Sequence, residues 1–175
     1  MNQKMETRES DLPRSTENQK QHQDFSYPSH ADLSYDNFLV GVAYCQQYPD
    51  SYSFVFSNGH ETRVDDCAID EKAWIVKKVD NNELIGRVKI MFDKADSRLL
   101  GVKFYDMTNK REILAVGPIN LRNYRENPGI RTQVIELFDH ERIVGVKSGS
   151  RGDSWSEHFD LQFVIGKPKH KSLFI

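Results

Sequence analysis

The stretch that decides the fold is ERIVGVKSGSRGDSWSEHFDLQFVIG, residues 141–166. Two apolar runs rich in Val, Ile and Phe enclose a polar loop, 148–158, that holds a tryptophan and several acids. In the second run apolar and polar residues alternate, which places Leu161, Phe163 and Ile165 on one face of a strand. The stretch therefore predicts two β-strands joined by a loop, with one strand face turned to a core.

Similar segments follow one another along the chain from residue 36 onward. Short runs rich in Val, Ile, Phe and Tyr are separated by Gly, Asn, Asp and Pro, which is typical of strands and turns. Helical periodicity is nearly absent. In one run Tyr52, Phe54 and Phe56 share a face. The sequence thus predicts an all-β single domain of short antiparallel strands, with these candidates: NFLVGVAYC, SYSFVFS, AWIVKKV, GRVKIMFD, LLGVKFYD, EILAVG, TQVIELF, RIVGVKS and DLQFVIG.

One short phrase recurs within these runs, namely two aliphatic residues followed by Gly-Val. It occupies positions 39–42, 99–102 and 143–146, and Leu84-Ile85-Gly86 is a looser relative. Glycine inside a strand often marks a β-bulge or a close backbone approach. The copies are unequally spaced, so the phrase fits either internal repetition or convergent strand chemistry.

Composition and charge exclude several classes of protein. At 175 residues with 38% hydrophobic and 29% charged residues, the chain is long enough for one domain, and no apolar run approaches the roughly 20 residues that a bilayer requires. With 24 basic and 26 acidic residues, electrostatics gives no reason to expect a nucleic acid partner. The start of the sequence lacks the apolar region of a signal peptide, and Cys45 and Cys67 lack CxxC spacing, so we expect reduced thiols and a cytoplasmic location.

The beginning of the chain differs from the rest in composition. Residues 1–24 contain only two methionines and one leucine as apolar side chains, which is too little burial to offset the entropy of ordering. We therefore expect residues 1–35 to form a polar arm that is flexible or bound to a partner, and residues 36–175 to form the all-β domain.

The sequence carries no recognisable catalytic or metal-binding pattern. It lacks HExxH, P-loop, GxGxxG and Gly-x-Ser-x-Gly motifs, and its histidines are scattered. The acidic stretch VDDCAIDE, residues 64–71, has no glycine at the central turn position of a calcium loop. We predict that the protein is not an enzyme and binds no cofactor or metal.

The order of segments in residues 141–166 resembles the end of jacalin-like lectin domains, with an E-x-I-x-G strand, a loop holding Gly and an aromatic residue, an acid and a final strand. Residues 86–117, GRVKIMFDKADSRLLGVKFYDMTNKREILAVG, look like the jacalin-type pairing of a strand with its hairpin partner. The resemblance covers about residues 36–166. It implies a β-prism of three four-stranded sheets with a sugar site at one end, and the residue pattern leaves a β-sandwich as the alternative fold.

In the jacalin-like pattern the sugar loop reads Gly-aromatic-aromatic-x-Asp. The resemblance places Trp155 on the second aromatic residue and Glu157 on the acid, while Asp153 replaces the glycine through which backbone NH groups approach a ligand. On chemistry alone, Trp155 can stack on a sugar while Asp153, Glu157 and the turn at Asn58 and His60 supply polar partners. The alternative is that the tryptophan closes the end of the domain as part of the core.

Two functions follow from these observations. The first is a non-catalytic structural or adaptor subunit that uses the jacalin-like domain and the polar arm for protein–protein contacts in a larger assembly. The second is a carbohydrate-binding lectin with its site in the 148–158 loop. We favour the adaptor, because the sugar motif has lost its glycine and the chain has only 10 glycines.

Overall fold

The computed structural model describes residues 5–10, 22–27, 33–45, 52–63, 74–93, 99–117, 129–151 and 159–169. Every regular element within these ranges is a β-strand. The strands are β1 (Met5–Glu9), β2 (His22–Tyr27), β3 (Leu39–Cys45), β4 (Tyr52–Phe56), β5 (Glu61–Arg63), β6 (Trp74–Lys78), β7 (Ile85–Asp93), β8 (Leu99–Asp106), β9 (Glu112–Val116), β10 (Ile130–Glu136), β11 (Arg142–Arg151) and β12 (Phe159–Pro168).

The strands form three antiparallel sheets of four strands each. The first sheet has the order β1-β12-β11-β2, the second β5-β4-β3-β6, and the third β10-β7-β8-β9. All pairings within the sheets are antiparallel. The predicted all-β fold of short antiparallel strands is confirmed.

Each of the nine segments that the sequence predicts as a strand overlaps an observed strand, and three strands were not predicted. Two of these lie in the predicted polar arm, where Met5–Glu9 pairs with β12 and His22–Tyr27 pairs with β11. They are the two edges of the first sheet. Residues 10 and 33–35 of the arm are also described, the remainder of the arm lies outside the described residues, and its binding of a partner stays a prediction.

A single apolar core joins the three sheets. Phe54 of the second sheet meets Phe163 of the first edge to face, with ring centroids 5.4 Å apart. Phe92 and Phe104 of the third sheet belong to the same buried cluster. The residues that the alternation predicted to face inward are all buried: Tyr52, Phe54, Phe56, Leu161, Phe163 and Ile165. Apolar burial of this extent is the main force that holds sheets of this size together.

The recurring glycine phrase marks β-bulges in the sheets. In each copy the pairing register shifts by one residue directly before the glycine, so the second aliphatic residue is extra. The shifts lie between Leu39 and Gly41, between Leu99 and Gly101, and between Ile143 and Gly145. The looser relative is a bulge as well, with its shift between Ile85 and Arg87.

Three of these bulges lie at the same end of the domain. Strands β3, β7 and β11, one inner strand from each sheet, begin there, and their first apolar residues Leu39, Ile85 and Ile143 line one pocket. A buried valine follows three residues later in each strand: Val42, Val88 and Val146. We call this the bulge end. The shared pattern favours internal repetition over convergence.

Candidate functional site

A pocket opens at the bulge end where the three sheets meet. Leu39, Ile85 and Ile143 line it, one from each sheet, and its volume is about 130 Å³. Further apolar side chains complete the wall: Tyr35, Phe38, Val79, Leu84, Met107 and Leu137. The polar lining residues are Glu83, His140, Glu141 and Arg142. The pocket is therefore mainly apolar, with its charged groups contributed by the connecting segments and by Arg142 at the start of β11.

The turn between β10 and β11 forms one side of the pocket. Its backbone closes through a hydrogen bond from Glu141 N to Phe138 O at 3.0 Å, and His140 takes a φ of 66° in the left-handed region. The Glu141 side chain folds back over the turn, and its Oε2 accepts from Phe138 N at 2.8 Å. These contacts fix the position from which Arg142 enters β11.

The loop between β6 and β7 forms another part of the pocket wall together with the β8–β9 turn. Glu83 N donates to Asp80 O at 3.0 Å within the loop, and Met107 N donates to Leu84 O at 2.8 Å between the loop and the turn. Arg111 Nη2 reaches from the turn to Glu83 Oε1 at 2.6 Å. The loop and the turn are therefore held together by a backbone hydrogen bond and an ion pair.

The other acid of the lining, Glu141, is paired with an arginine from the first strand. Arg8 Nε donates to Oε1 of Glu141 at 2.9 Å and Arg8 Nη2 to its Oε2 at 2.7 Å. The same Nη2 donates to Glu136 O at 3.0 Å. The hydrogen bonds from Arg8 hold the pKa of the Glu141 carboxyl below its usual value, although burial of the carboxyl acts in the opposite direction. Both acidic lining residues are thus engaged by arginines.

Arg142 lies between two aromatic rings at the pocket wall. Its Cζ atom is 4.4 Å from the ring centroid of Tyr35 and 4.3 Å from that of Phe38. Arg142 Nη1 donates to Tyr35 O at 3.3 Å, and the Tyr35 hydroxyl donates to His140 O at 2.7 Å. No carboxylate of the described residues forms an ion pair with Arg142. The guanidinium is therefore held in place without an acidic partner.

The sequence-predicted site residues fall in different places. Asn58 and His60 lie on the exposed turn between β4 and β5, where Asn58 Oδ1 accepts from His60 N at 2.8 Å. Asn58 N donates to Asn37 Oδ1 at 3.1 Å, and Gly59 between them has a φ of 88°. The Asn58 side chain and the His60 backbone complete a local turn, and neither residue lines the pocket.

The remaining predicted site residues, Asp153, Trp155 and Glu157, lie outside the described residues. The strand ends that flank them are paired, with Ser150 opposite Phe159. This pair lies at the end of β11 away from the bulge end, whereas the β4–β5 turn follows Phe56, which pairs with Leu39 at the bulge end. The structure therefore does not bring the turn and these strand ends together. The sugar site itself stays a prediction.

Sequence reasoning did not identify the pocket residues as a site. The available signal was the repeated glycine phrase, because the residues that begin β3, β7 and β11 are the ones that meet in the pocket. The stacking of Arg142 between Tyr35 and Phe38 has no local signal, since the arginine and the tyrosine are 107 positions apart.

Two other features are absent from the described ranges. Nothing in them forms a helix with the length and apolar character needed to cross a membrane. They also contain no cluster of three or more histidine, cysteine or acidic side chains placed to hold a metal ion. The acidic stretch at residues 64–71 lies outside the described ranges, whereas Cys45 is described and is a buried free thiol.

Comparison with known proteins finds a similarity in structure. No family model matches the sequence, and no curated protein matches it. The chain is similar to the crystal structure of the V. cholerae biofilm matrix protein Bap1, with 12% sequence identity and a TM-score of 0.47. That match covers 92% of this chain and 24% of the other, so this chain spans about a quarter of the length of Bap1. The jacalin-like resemblance stays a prediction.

Proposed function

We propose that this protein is a non-catalytic adaptor whose bulge end docks a protein partner in a larger assembly. The observation that carries the proposal is the apolar pocket of about 130 Å³ with large apolar side chains exposed beside it. Leu84 in its wall is 51% exposed, and Phe138, which follows the lining residue Leu137, is 68% exposed. A concave, mainly apolar pocket with an exposed apolar residue in its wall is typical of a binding site.

The charged groups around the pocket favour binding over catalysis. A general acid or base needs a pKa near the working pH. The hydrogen bonds from Arg8 move the pKa of Glu141 away from that range, and Glu83 is engaged by Arg111. The two carboxylates therefore act as structural partners of arginines.

The pocket suits a protein side chain better than a sugar. A sugar is recognised by an aromatic face against its C–H surface and by hydrogen-bonding groups around its hydroxyls. One face of each of the rings of Tyr35 and Phe38 is occupied by the guanidinium of Arg142, and the acids are paired. An apolar side chain of a partner needs only aliphatic contacts, which the lining residues Leu39 and Ile143 supply.

Site-specific photo-crosslinking in the full chain tests this proposal. A photoreactive phenylalanine analogue replaces Leu84 or Phe138 in the bulge end, and Val134, which is also 51% exposed but lies on β10 outside the pocket, is the matched control. We expect the same crosslinked protein from positions 84 and 138 and none of it from 134. The identified partner should then co-purify with the wild-type chain and be lost from Leu84→Ser. Crosslinking that is equal at all three positions, or absent at 84 and 138, rules out docking at the bulge end.

A further inference from the structure

The geometry points to the chemistry of the partner, an inference that rests on the proposed function. We infer that the bulge-end pocket takes one large apolar side chain of a partner segment that carries a carboxylate beside it, and that Arg142 binds this carboxylate. Arg142 is then the residue that determines specificity, and the aliphatic floor supplies the affinity for the apolar side chain.

The size of the pocket supports the first part of this inference, that the pocket takes a large apolar side chain. An apolar cavity of about 150 Å³ in an engineered protein holds benzene. The bulge-end pocket has about 130 Å³ above a floor of Leu39, Ile85 and Ile143. It therefore has room for one side chain of the size of leucine or phenylalanine, and the floor offers that side chain no polar group to satisfy.

The charge of the pocket wall supports the second part, that Arg142 binds a carboxylate of the partner. Glu83 and Glu141 are already neutralised by Arg111 and Arg8, whereas Arg142 has no acidic partner among the described residues. A guanidinium carries five N–H donors, of which the structure commits one to Tyr35 O. The remaining donors match a carboxylate, which arginine binds through two parallel hydrogen bonds.

The arginine is also held in advance of binding. The guanidinium lies over the rings of Tyr35 and Phe38, and its hydrogen bond to Tyr35 O restricts its movement. Because the Arg142 side chain is already ordered, binding of a ligand to it costs little additional side-chain conformational entropy. A preordered cation beside an apolar cavity favours a ligand that combines both chemistries.

The surroundings favour a protein segment over a small molecule. A molecule that only fills a cavity of side-chain size leaves Leu84 and Phe138 exposed to water. A polypeptide that inserts one side chain covers these residues with its neighbouring residues, which adds apolar burial to the complex. The partner is therefore a protein segment, with the apolar side chain as its anchor.

Peptide binding to the full chain tests the inference directly. The probes are short fluorescein-labelled peptides with Phe, Leu or Ala at a central position and Asp or Asn next to it, measured by fluorescence polarisation. We expect Phe and Leu to bind better than Ala, and Asn in place of Asp to weaken binding by about tenfold or more. Arg142→Gln should abolish the preference for Asp and retain the preference for Phe, while Arg142→Lys should retain part of the preference for Asp.

The matched control is Arg131→Gln, because Arg131 also stacks on a ring, that of Phe92, but does not line the pocket. This variant should bind as the wild type does. Equal binding of Asp and Asn peptides by the wild type overturns the inference and leaves the proposed function standing, a result that does not depend on how any variant folds. Absence of any preference for Phe or Leu over Ala overturns both. Binding of N-acetyl-phenylalanine as tight as that of the peptides identifies a small amphipathic acid as the ligand and overturns the protein partner.

Discussion

Arg8 and Glu141 lie 133 positions apart in the chain and form a two-point ion pair at the bulge end, with donor–acceptor distances of 2.9 and 2.7 Å. Arg8 belongs to β1, and Glu141 precedes β11 in the same sheet. Because Arg8 also donates to Glu136 O on β10, its side chain joins the edge of the first sheet to the edge of the third. The amino-terminal strand is thus one of the elements that close the bulge end.

Substitution of Arg8 by alanine should destabilise the domain by about 1–3 kcal/mol, because it leaves a carboxylate that is 7% exposed without its arginine. Denaturation by urea, followed by circular dichroism, measures the free energy of unfolding. Glu6→Ala on the same strand is the control, since Glu6 pairs with Lys167 at 3.9 Å with both side chains about half exposed. Its cost should stay below about 1 kcal/mol. Equal costs for the two variants would contradict the structural role of Arg8.

The low pKa of Glu141 gives the stability of the protein a defined dependence on pH. Hydrogen bonds from Arg8 lower this pKa below the ordinary value of 4.5, so the ionised carboxylate stabilises the folded state at neutral pH. This contribution is fully present above the unfolded-state value and is lost as the pH falls through the folded-state value. We expect wild type to be more stable than Glu141→Gln at pH 7, with the difference shrinking below about pH 4.5. Urea denaturation of both proteins from neutral to acid pH checks this, and a difference that grows in acid would be the wrong sign.

Local patterns in the sequence contain enough information to predict most of the sheets but not all. The alternation of Tyr52, Phe54 and Phe56 predicts β4, because a strand with one buried face repeats its apolar residues at every second position. No such pattern exists in β1, where the side chains of residues 6–9 are exposed. That strand is held by its backbone pairing with β12 and by ion pairs such as Arg8–Glu141. Its partners are distant in sequence, so its composition resembles that of an unfolded segment.

The candidate site was less predictable than the fold, because a pocket between sheets depends on which segments meet. The glycine phrase marked the starts of β3 and β11, yet these strands belong to different sheets, and their meeting at one end follows only from the packing of the sheets. The sequence alone identified Tyr35 only as the last residue of the predicted polar arm. Its role in holding Arg142 requires the tertiary structure.

Gly41 in β3 and Gly145 in β11 each follow a β-bulge of the same kind. Substitution by alanine should nevertheless destabilise the protein more at Gly41 than at Gly145. A Cβ atom at Gly41 would lie 2.3 Å from Lys77 O, a backbone atom of the paired strand β6. A Cβ atom at Gly145 would lie 2.9 Å from Leu33 Cδ2, the end of a side chain that can rotate away. We expect Gly41→Ala to cost about 1–3 kcal/mol and Gly145→Ala to cost less. Denaturant midpoints of the two variants decide, and a larger loss for Gly145→Ala would show that its side-chain neighbour cannot yield.

The lectin alternative makes its own prediction at Trp155, which lies outside the described residues. If the 148–158 loop binds sugars, a glycan array should show binding by the wild-type chain that is lost in Trp155→Ala, because aromatic stacking on a sugar is removed. Leu84→Ser should leave the same binding unchanged, since Leu84 lines the pocket at the bulge end. Wild-type protein that binds no glycan on the array would exclude the lectin function and leave the adaptor.

The polar arm is best tested by replacement, because its deletion has two effects at once. Removing residues 1–35 also removes β1, β2 and Arg8, which opens both edges of the first sheet and leaves Glu141 unpaired. We expect this deletion to unfold the domain or to cause aggregation through the open edge strands.

Replacing residues 11–21 by a Gly-Ser segment of equal length keeps both strands and should leave the thermal transition unchanged. If the arm contacts a partner, the replaced chain should lose co-purification of that partner while remaining folded. Co-purification that survives the replacement assigns the contact to the folded domain, as the exposed Leu84 and Phe138 at the bulge end lead us to expect.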